Sequence, residues 1–170
     1  MPNQIAFYPQ TSGGSSTMSL IQSITATSEA SVTFSAIPQT FKNLKLVCNY
    51  SLASGTNLVM TLNSVTTSTY SFGLMFADAN TAVASSGSSQ PYIEIAGFQG
   101  LVVLDIPNYA ATPSFGVQSI GTFSQTGGAL FTGTCSGSNA GITSVTSITL
   151  SEISGTALFV AGSLFELYGY

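Results

Sequence analysis

Short runs in which apolar and polar residues alternate dominate the chain from about residue 19 onward, and they constrain its fold more than any other feature. In SVTFSAI, Val32, Phe34 and Ala36 share one face, and in NLKLVCNYSL the apolar face runs from Leu44 to Leu52 at every second position. A period of two is typical of half-buried strands. Small-residue turns separate the runs, and no window of ten residues combines helical spacing with caps.

The number of these runs predicts the architecture. About ten or eleven short strands favour an all-β fold, an antiparallel two-sheet β-sandwich of jelly-roll-like type. Residues 1–18 contain Pro2, Pro9 and a Gly/Ser stretch, so we expect an N-terminal arm or leader there and a single sandwich domain over residues 19–170. The composition of SSGSSQP, residues 85–91, predicts a flexible surface loop.

Charge is scarce in this chain. Only 5% of its 170 residues are charged, against about 25% in an ordinary globular domain. A lone subunit with so few charges would be poorly protected against self-association, so we expect copies or partners to cover much of its surface. The net charge of −4, with two lysines and no arginine, argues against contact with nucleic acid.

No apolar run approaches the roughly 18 residues of a membrane span, and the N-terminus has no basic start followed by an apolar stretch. We therefore expect neither a membrane segment nor an export signal. Without export, Cys48 and Cys135 are expected to be free thiols, although a disulfide would be possible if their strands were neighbours.

The C-terminal segment GSLFELYGY carries large side chains on both faces of its predicted strand. Sheet edges are usually protected by lysine, inward charge or proline, and this chain has only two lysines. Neighbouring subunits should therefore cover the edges, with the last strand inside the covered surface. Deleting residues 165–170 should give insoluble or unassembled protein, because it would remove a core or interface strand. The predicted interface residues are Phe165, Leu167, Tyr168 and Tyr170.

Two residue patterns are compatible with catalysis, but a structural role explains each of them better. GTCSG, residues 133–137, has the spacing of a nucleophile elbow around Cys135. The chain has no histidine to generate a thiolate, so we expect a turn after a strand. A pair of carboxylates would suit glycoside hydrolysis, but one acid per apolar strand is what solubility alone requires. The candidate acids are Glu94, Asp105, Glu152 and Glu166.

Metal binding has little support. Two distant cysteines without histidine form no zinc ligand set, and Asp78 with Asn80 in FADANT offers two ligands where calcium takes six to eight. We read FADANT as a turn. The sequence thus predicts no catalytic, metal or cofactor-binding residue, and a protein that is not an enzyme.

Three stretches share a pattern. TFKNLKLVCNYSLASGTNLVMTLN, residues 40–63, has an aromatic-basic-x-Leu-x-Leu strand, a turn and a second strand that ends in Asn. In residues 104–124 an Asp-Ile strand runs into a Tyr-Ala loop, and residues 142–170 contain a Ser-Ile-Thr-Leu strand before the closing GSxFxLYG. Together these stretches, in this order, resemble the minor structural proteins of tailed bacteriophages, among them capsid decoration (cement) proteins.

This resemblance implies an all-β virion component, assembled in the host cytoplasm and placed on the capsid surface as a decoration or cement protein. Its partners would be the major capsid protein or another virion protein, and copies of itself. A trimer is favoured because capsid lattices offer threefold positions.

Two other functions remain open. A tail or fibre module would bind a host-surface glycan through an exposed tyrosine cluster, and an enzyme would act on cell wall or glycan through Glu94 or Asp105. The tyrosines available for a glycan patch are Tyr50, Tyr70, Tyr92, Tyr109 and Tyr168.

Overall fold

A computed structural model describes residues 17–54, 57–78, 81–110, 116–124, 130–139 and 142–170, with the backbone alone at 76–78, 81–83, 116 and 130–139. Every regular element in these residues is a strand, and all pairings are antiparallel, so the all-β prediction is confirmed. The strands are β1 (Ser19–Thr25), β2 (Ser31–Phe34), β3 (Asn43–Ser51), β4 (Leu58–Leu62), β5 (Tyr70–Asp78), β6 (Thr81–Gln90), β7 (Ile93–Ala96), β8 (Gln99–Pro107), β9 (Gly116–Ser124), β10 (Leu130–Asn139), β11 (Ile148–Glu152) and β12 (Leu164–Gly169).

Two sheets share one hydrophobic core. The larger sheet has eight strands in the order β1-β12-β3-β8-β9-β10-β5-β6, and the smaller has four in the order β2-β11-β4-β7. Apolar side chains of β3, β8 and β12 meet those of β2, β4 and β11 in this core. The arrangement agrees with the predicted two-sheet sandwich.

The chain passes repeatedly from one sheet to the other. The block β1-β12-β3-β8 belongs to one sheet and the block β2-β11-β4-β7 to the other, so consecutive strands β1 to β4 cross the core each time. Hairpins β5-β6 and β9-β10 are added to the larger sheet beyond β8. This connectivity interleaves the strands of the two sheets and adds two hairpins to the larger sheet.

The last strand is an interior strand of the larger sheet. Phe165 lies opposite Cys48 of β3 on one side and Ile24 of β1 on the other. The side chains of Phe165 and Leu167 are fully buried in the core. β12 is therefore covered at both edges by strands of its own chain, and Phe165 and Leu167, which were predicted to be interface residues, belong to the core instead.

Two predicted loops are strands in the structure. Residues 85–90 belong to β6, which pairs with β5 at the end of the larger sheet. Residues 133–137 lie inside β10, paired with both β9 and β5. Both predictions were wrong because backbone pairing holds these strands, and small side chains do not prevent it. Of FADANT, predicted to be a turn, residues 76–78 belong to β5 and Thr81 to β6, and residues 79 and 80 lie outside the described residues.

The turn after β4 is held by one asparagine. Asn63 has a positive φ of 53°, a conformation that asparagine tolerates better than most residues. Its side chain donates to the carbonyl oxygen of Ser144 at 2.5 Å and accepts from the backbone N–H groups of Thr146 at 2.7 Å and Ser147 at 3.1 Å. Asn63 thereby fixes the segment that leads into β11.

The glycines of the C-terminal region have the geometry expected of turns and close contacts. Gly155 and Gly162 have positive φ values. A methyl group at Gly169 would overlap the ring of Phe41, so only glycine lets the two strands and this ring come together. Among the described residues, no helix is long and apolar enough to cross a membrane. The predicted arm lies outside the described residues as far as Ser16.

Candidate interaction surface

The outer face of the eight-stranded sheet, the side turned away from the core, carries two of the four predicted interface residues. Tyr168 and Tyr170 are half-buried and point outward, whereas Phe165 and Leu167 pack into the core. Phe165 contacts Phe159 edge-to-face, with ring centroids 4.9 Å apart. Of the predicted residues, therefore, only the two tyrosines lie where a partner can touch them.

Tyr170 belongs to a polar cluster at one end of this face. Lys45 Nζ lies 2.7 Å from Asp105 Oδ1, and the hydroxyl of Tyr170 donates to the same oxygen at 3.0 Å. The Lys45 ammonium also lies 6.0 Å from the centroid of the Tyr170 ring. Burial, followed by the hydrogen bond to Asp105, raises the pKa of Tyr170. Within this cluster, the positive charge of Lys45 and the negative charge of Asp105 neutralise each other.

Tyr168 is held in the same way. Its hydroxyl donates to Glu166 Oε2 at 3.0 Å, and this hydrogen bond is the main reason why the pKa of Tyr168 is raised. The backbone after β12 is fixed as well, because Tyr170 accepts from the N–H groups of Lys42 and Asn43 and donates to the carbonyl oxygen of Asn43. Both tyrosine hydroxyls are thus hydrogen-bonded to carboxylates of the same subunit.

An apolar strip crosses the middle of the outer face. The strand register places Val47 opposite Val103, Val103 opposite Ile120, Ile120 opposite Thr134 and Thr134 opposite Met75. Ile120 is 60% exposed, Met75 67%, and Leu101, in the neighbouring row, 52%. We call Val47, Leu101, Val103, Ile120 and Met75 the apolar strip.

The sequence analysis did not identify this strip, although the sequence contains a signal for it. In FGVQSIGTF the core side holds Val117 and Phe123, and Ile120 falls among the outward residues with Gln118 and Thr122. An aliphatic residue at an outward position of an alternating strand adds apolar surface, which is ordinary when such residues are scattered singly. The pattern becomes informative only when strand order brings several such residues together.

The four acidic residues considered for catalysis are divided between the sheets. Glu94 and Glu152 lie on β7 and β11 of the smaller sheet, and Asp105 and Glu166 on β8 and β12 of the larger one. Glu94 accepts from Asn57 Nδ2 at 2.5 Å, and burial raises its pKa. Glu152 accepts from the backbone N–H of Ser154 at 2.8 Å and also from its hydroxyl. Each of the four acids thus forms a hydrogen bond or an ion pair with a residue of its own chain.

Among the described residues, no group of three or more histidine, cysteine or acidic side chains could hold a metal ion. Cys48 is a fully buried free thiol, and burial raises its pKa. Strands β8 and β9 separate β3 from β10, which puts Cys135 about 14 Å away at ~4.8 Å per strand, too far for a disulfide. The side chain of Cys135 lies outside the described residues.

The tyrosines considered for a glycan patch are mostly in the core. Tyr50, Tyr70 and Tyr109 are buried, and their hydroxyls donate to the backbone carbonyl groups of Gly97, Leu62 and Pro38 respectively. Tyr92 is half-buried and stacks on Phe72 at 6.3 Å. The expected patch is therefore wrong for the three buried tyrosines, because each supplies core volume and satisfies a buried carbonyl.

Comparison with known proteins gave no match to a family model, a curated protein or a solved structure. The resemblance to phage structural proteins therefore remains an expectation drawn from the three sequence segments.

Proposed function

We propose that this protein is a non-enzymatic structural subunit of a tailed-bacteriophage virion, a capsid decoration or cement protein that stabilises the head by repeated contacts. The observation that carries the proposal is the outer face of the larger sheet. It presents the apolar strip, and the charged side chains that the structure describes on it are Lys45, Asp105 and Glu166, of which the first two form an ion pair. Such a face gains more from burial against protein than from exposure to water.

The mechanism would be mechanical. Each contact buries apolar area at about 25 cal/mol per Å² before the cost of association. The exposed side chains of the apolar strip carry no hydrogen-bonding N–H or O–H group, so their burial adds little polar desolvation, whereas Gln118 and Thr122 beside them would need partners across the contact. One weak contact repeated over a symmetric particle adds up, because the same surface is used by every copy.

The rigidity of the face suits this role. β12 and β3 are interior strands with partners on both sides, and the hydroxyls of Tyr168 and Tyr170 are held by acids of the same chain. A pre-organised surface loses little conformational entropy on binding. The partners would be the major capsid protein or another virion protein, and copies of the same subunit.

Purified particles that lack this protein provide the test. Recombinant protein should co-sediment with them, appear as ordered density on the head by cryo-electron microscopy, and raise the temperature at which the particles release DNA. Particles that neither bind the protein nor gain heat resistance would refute the proposal.

The tail or fibre alternative is tested by the same preparation. A module that reads host glycans should bind immobilised bacterial polysaccharide as an isolated protein and leave heads unoccupied. The burial of Tyr50, Tyr70 and Tyr109 argues against this alternative, so we expect no retention on the polysaccharide.

A further inference from the structure

We propose that the outer face of the eight-stranded sheet packs against the same face of a second copy of this chain, around a two-fold axis that runs along β9 through Ile120. The inference deepens the proposed function and rests on it for the assembly that the contact serves. The contact itself is argued from the positions, exposure and charges of the described residues.

The strand order fixes where each side chain of the apolar strip lies relative to Ile120. Val103 is one strand away on the β8 side and Val47 two strands away, whereas Met75 is two strands away on the opposite side. A two-fold axis parallel to the strands exchanges the two sides. Ile120 then meets Ile120 of the second copy, and Met75 meets Val47 in two equivalent places.

Charge favours a second copy in this orientation. Lys45 and Asp105 neutralise each other within the subunit, which leaves Glu166 as the charge on the row of Ile120. Glu166 lies three strands from Ile120. The proposed axis sends the two Glu166 side chains to opposite rims, about 29 Å apart at ~4.8 Å per strand. At that distance salt screens their repulsion, since the Debye length is about 8 Å.

An axis perpendicular to the strands would instead place Glu166 against itself. That arrangement would desolvate two like charges, which costs more than the added apolar contact supplies. The charge pattern of the face thus selects one of the two in-plane axes for a symmetric contact.

The size of the face suits a stable dimer. The six strands from β12 to β5 span about 24 Å, and strands of nine residues are about 30 Å long, which gives a face of roughly 700 Å². A standard protein interface buries about 800 Å² on each partner. Two sheets stacked face to face also pack at the spacing found within sandwiches.

A contact between two identical faces predicts an assembly with an even number of subunits. A face that packs against itself closes after two copies, whereas the trimer expected from capsid threefold positions needs two different surfaces on each subunit. Measurement of the oligomeric state therefore distinguishes the two arrangements.

The first experiment compares lysine substitutions by sedimentation equilibrium of the full chain. Wild type should be a dimer, and Ile120→Lys should weaken dimerisation by roughly a hundredfold or more, as expected for the centre of an interface. The control is Val160→Lys, which changes an aliphatic residue 42% exposed in the connection between β11 and β12 and should leave the dimer intact. Circular dichroism checks that each variant is folded.

A charge-pair experiment tests the proposed axis. Met75→Lys alone and Val47→Glu alone should each weaken the dimer, and the double variant should recover most of the loss, because each introduced charge then meets the opposite one across the axis. Residues 47 and 75 lie four strands apart within one subunit, so compensation inside the subunit is excluded. Absence of recovery would overturn this axis.

The remaining outcomes separate this inference from the proposed function. A wild type that stays monomeric at high concentration, forms a trimer, or keeps its dimer after Ile120→Lys overturns the inference, even if it binds phage heads. A dimer that behaves as expected but does not bind heads refutes the proposed function and supports the inference.

Discussion

Asn63 provides the sharpest test of how the turn after β4 is tied to the segment that leads into β11. Its side chain makes four hydrogen bonds, to Ser144, to Ser147, and to both the backbone N–H and the hydroxyl of Thr146. Replacement by glycine removes these bonds and keeps the positive φ available, whereas replacement by alanine removes the bonds and adds backbone strain. Comparing the two variants separates the side-chain contribution from the backbone contribution.

The expected magnitude follows from the bonds. Four bonds with a net worth of about 1 kcal/mol each, reduced because some of these groups reach water in the variant, predict a loss of about 3 kcal/mol for Asn63→Gly. Asn63→Ala should lose about 1 kcal/mol more from its left-handed conformation. With a urea m-value of about 2 kcal/mol per molar, the glycine variant should shift the unfolding midpoint by about 1.5 M.

Urea unfolding followed by circular dichroism measures both variants. The matched control is Ser64→Gly, because Ser64 is exposed and also has a positive φ, of 57°, and we expect a change within about 1 kcal/mol. The reasoning fails if Asn63→Gly stays within 1 kcal/mol of wild type, or if the alanine variant is at least as stable as the glycine variant.

Three further predictions concern core and buried groups. Phe165→Ala should cost about 3–5 kcal/mol of unfolding free energy and Leu164→Ala, on the half-buried outer side of β12, about 1 kcal/mol; similar losses in urea titrations would contradict the assigned faces. In a Cys135→Ser background, Cys48 is buried and should react with a thiol reagent only as fast as the protein unfolds, so rapid labelling of native protein would disprove its burial. Burial raises the pKa of Glu94, so its protonated form stabilises the fold at low pH, and this contribution is lost as the pH rises through the folded-state pKa. Glu94→Gln should flatten that decline in pH-dependent thermal melts, and an unchanged profile would exclude Glu94 as its source.

The alternation of apolar and polar residues predicted those strands whose position depends on the burial of their side chains. Val32 and Phe34 of β2, like Phe165 and Leu167 of β12, repeat at every second position and are buried in the structure. Residues 85–90 have no apolar alternation, and pairing with β5 makes them a strand. Composition does not record such pairing, because backbone hydrogen bonds are available to any residue except proline.

The candidate surface was predictable only in part. The sequence predicted Tyr168 and Tyr170 as interface residues, and both lie on the outer face, but it did not show that Val47, Ile120 and Met75 come from separated strands to one row. Long-range strand order decides this placement, and a single sequence contains no local signal for it.

The position of β12 has a consequence for biosynthesis. β12 separates β1 from β3 and pairs with both, so β1 lacks this neighbour, and β3 lacks one of its two neighbours, until residues 164–169 have emerged from the ribosome. Contacts between such distant segments form slowly and leave apolar surface exposed in the meantime. We therefore expect nascent chains shorter than this point to depend on chaperones, and completion of the larger sheet to be a late, cooperative step in maturation.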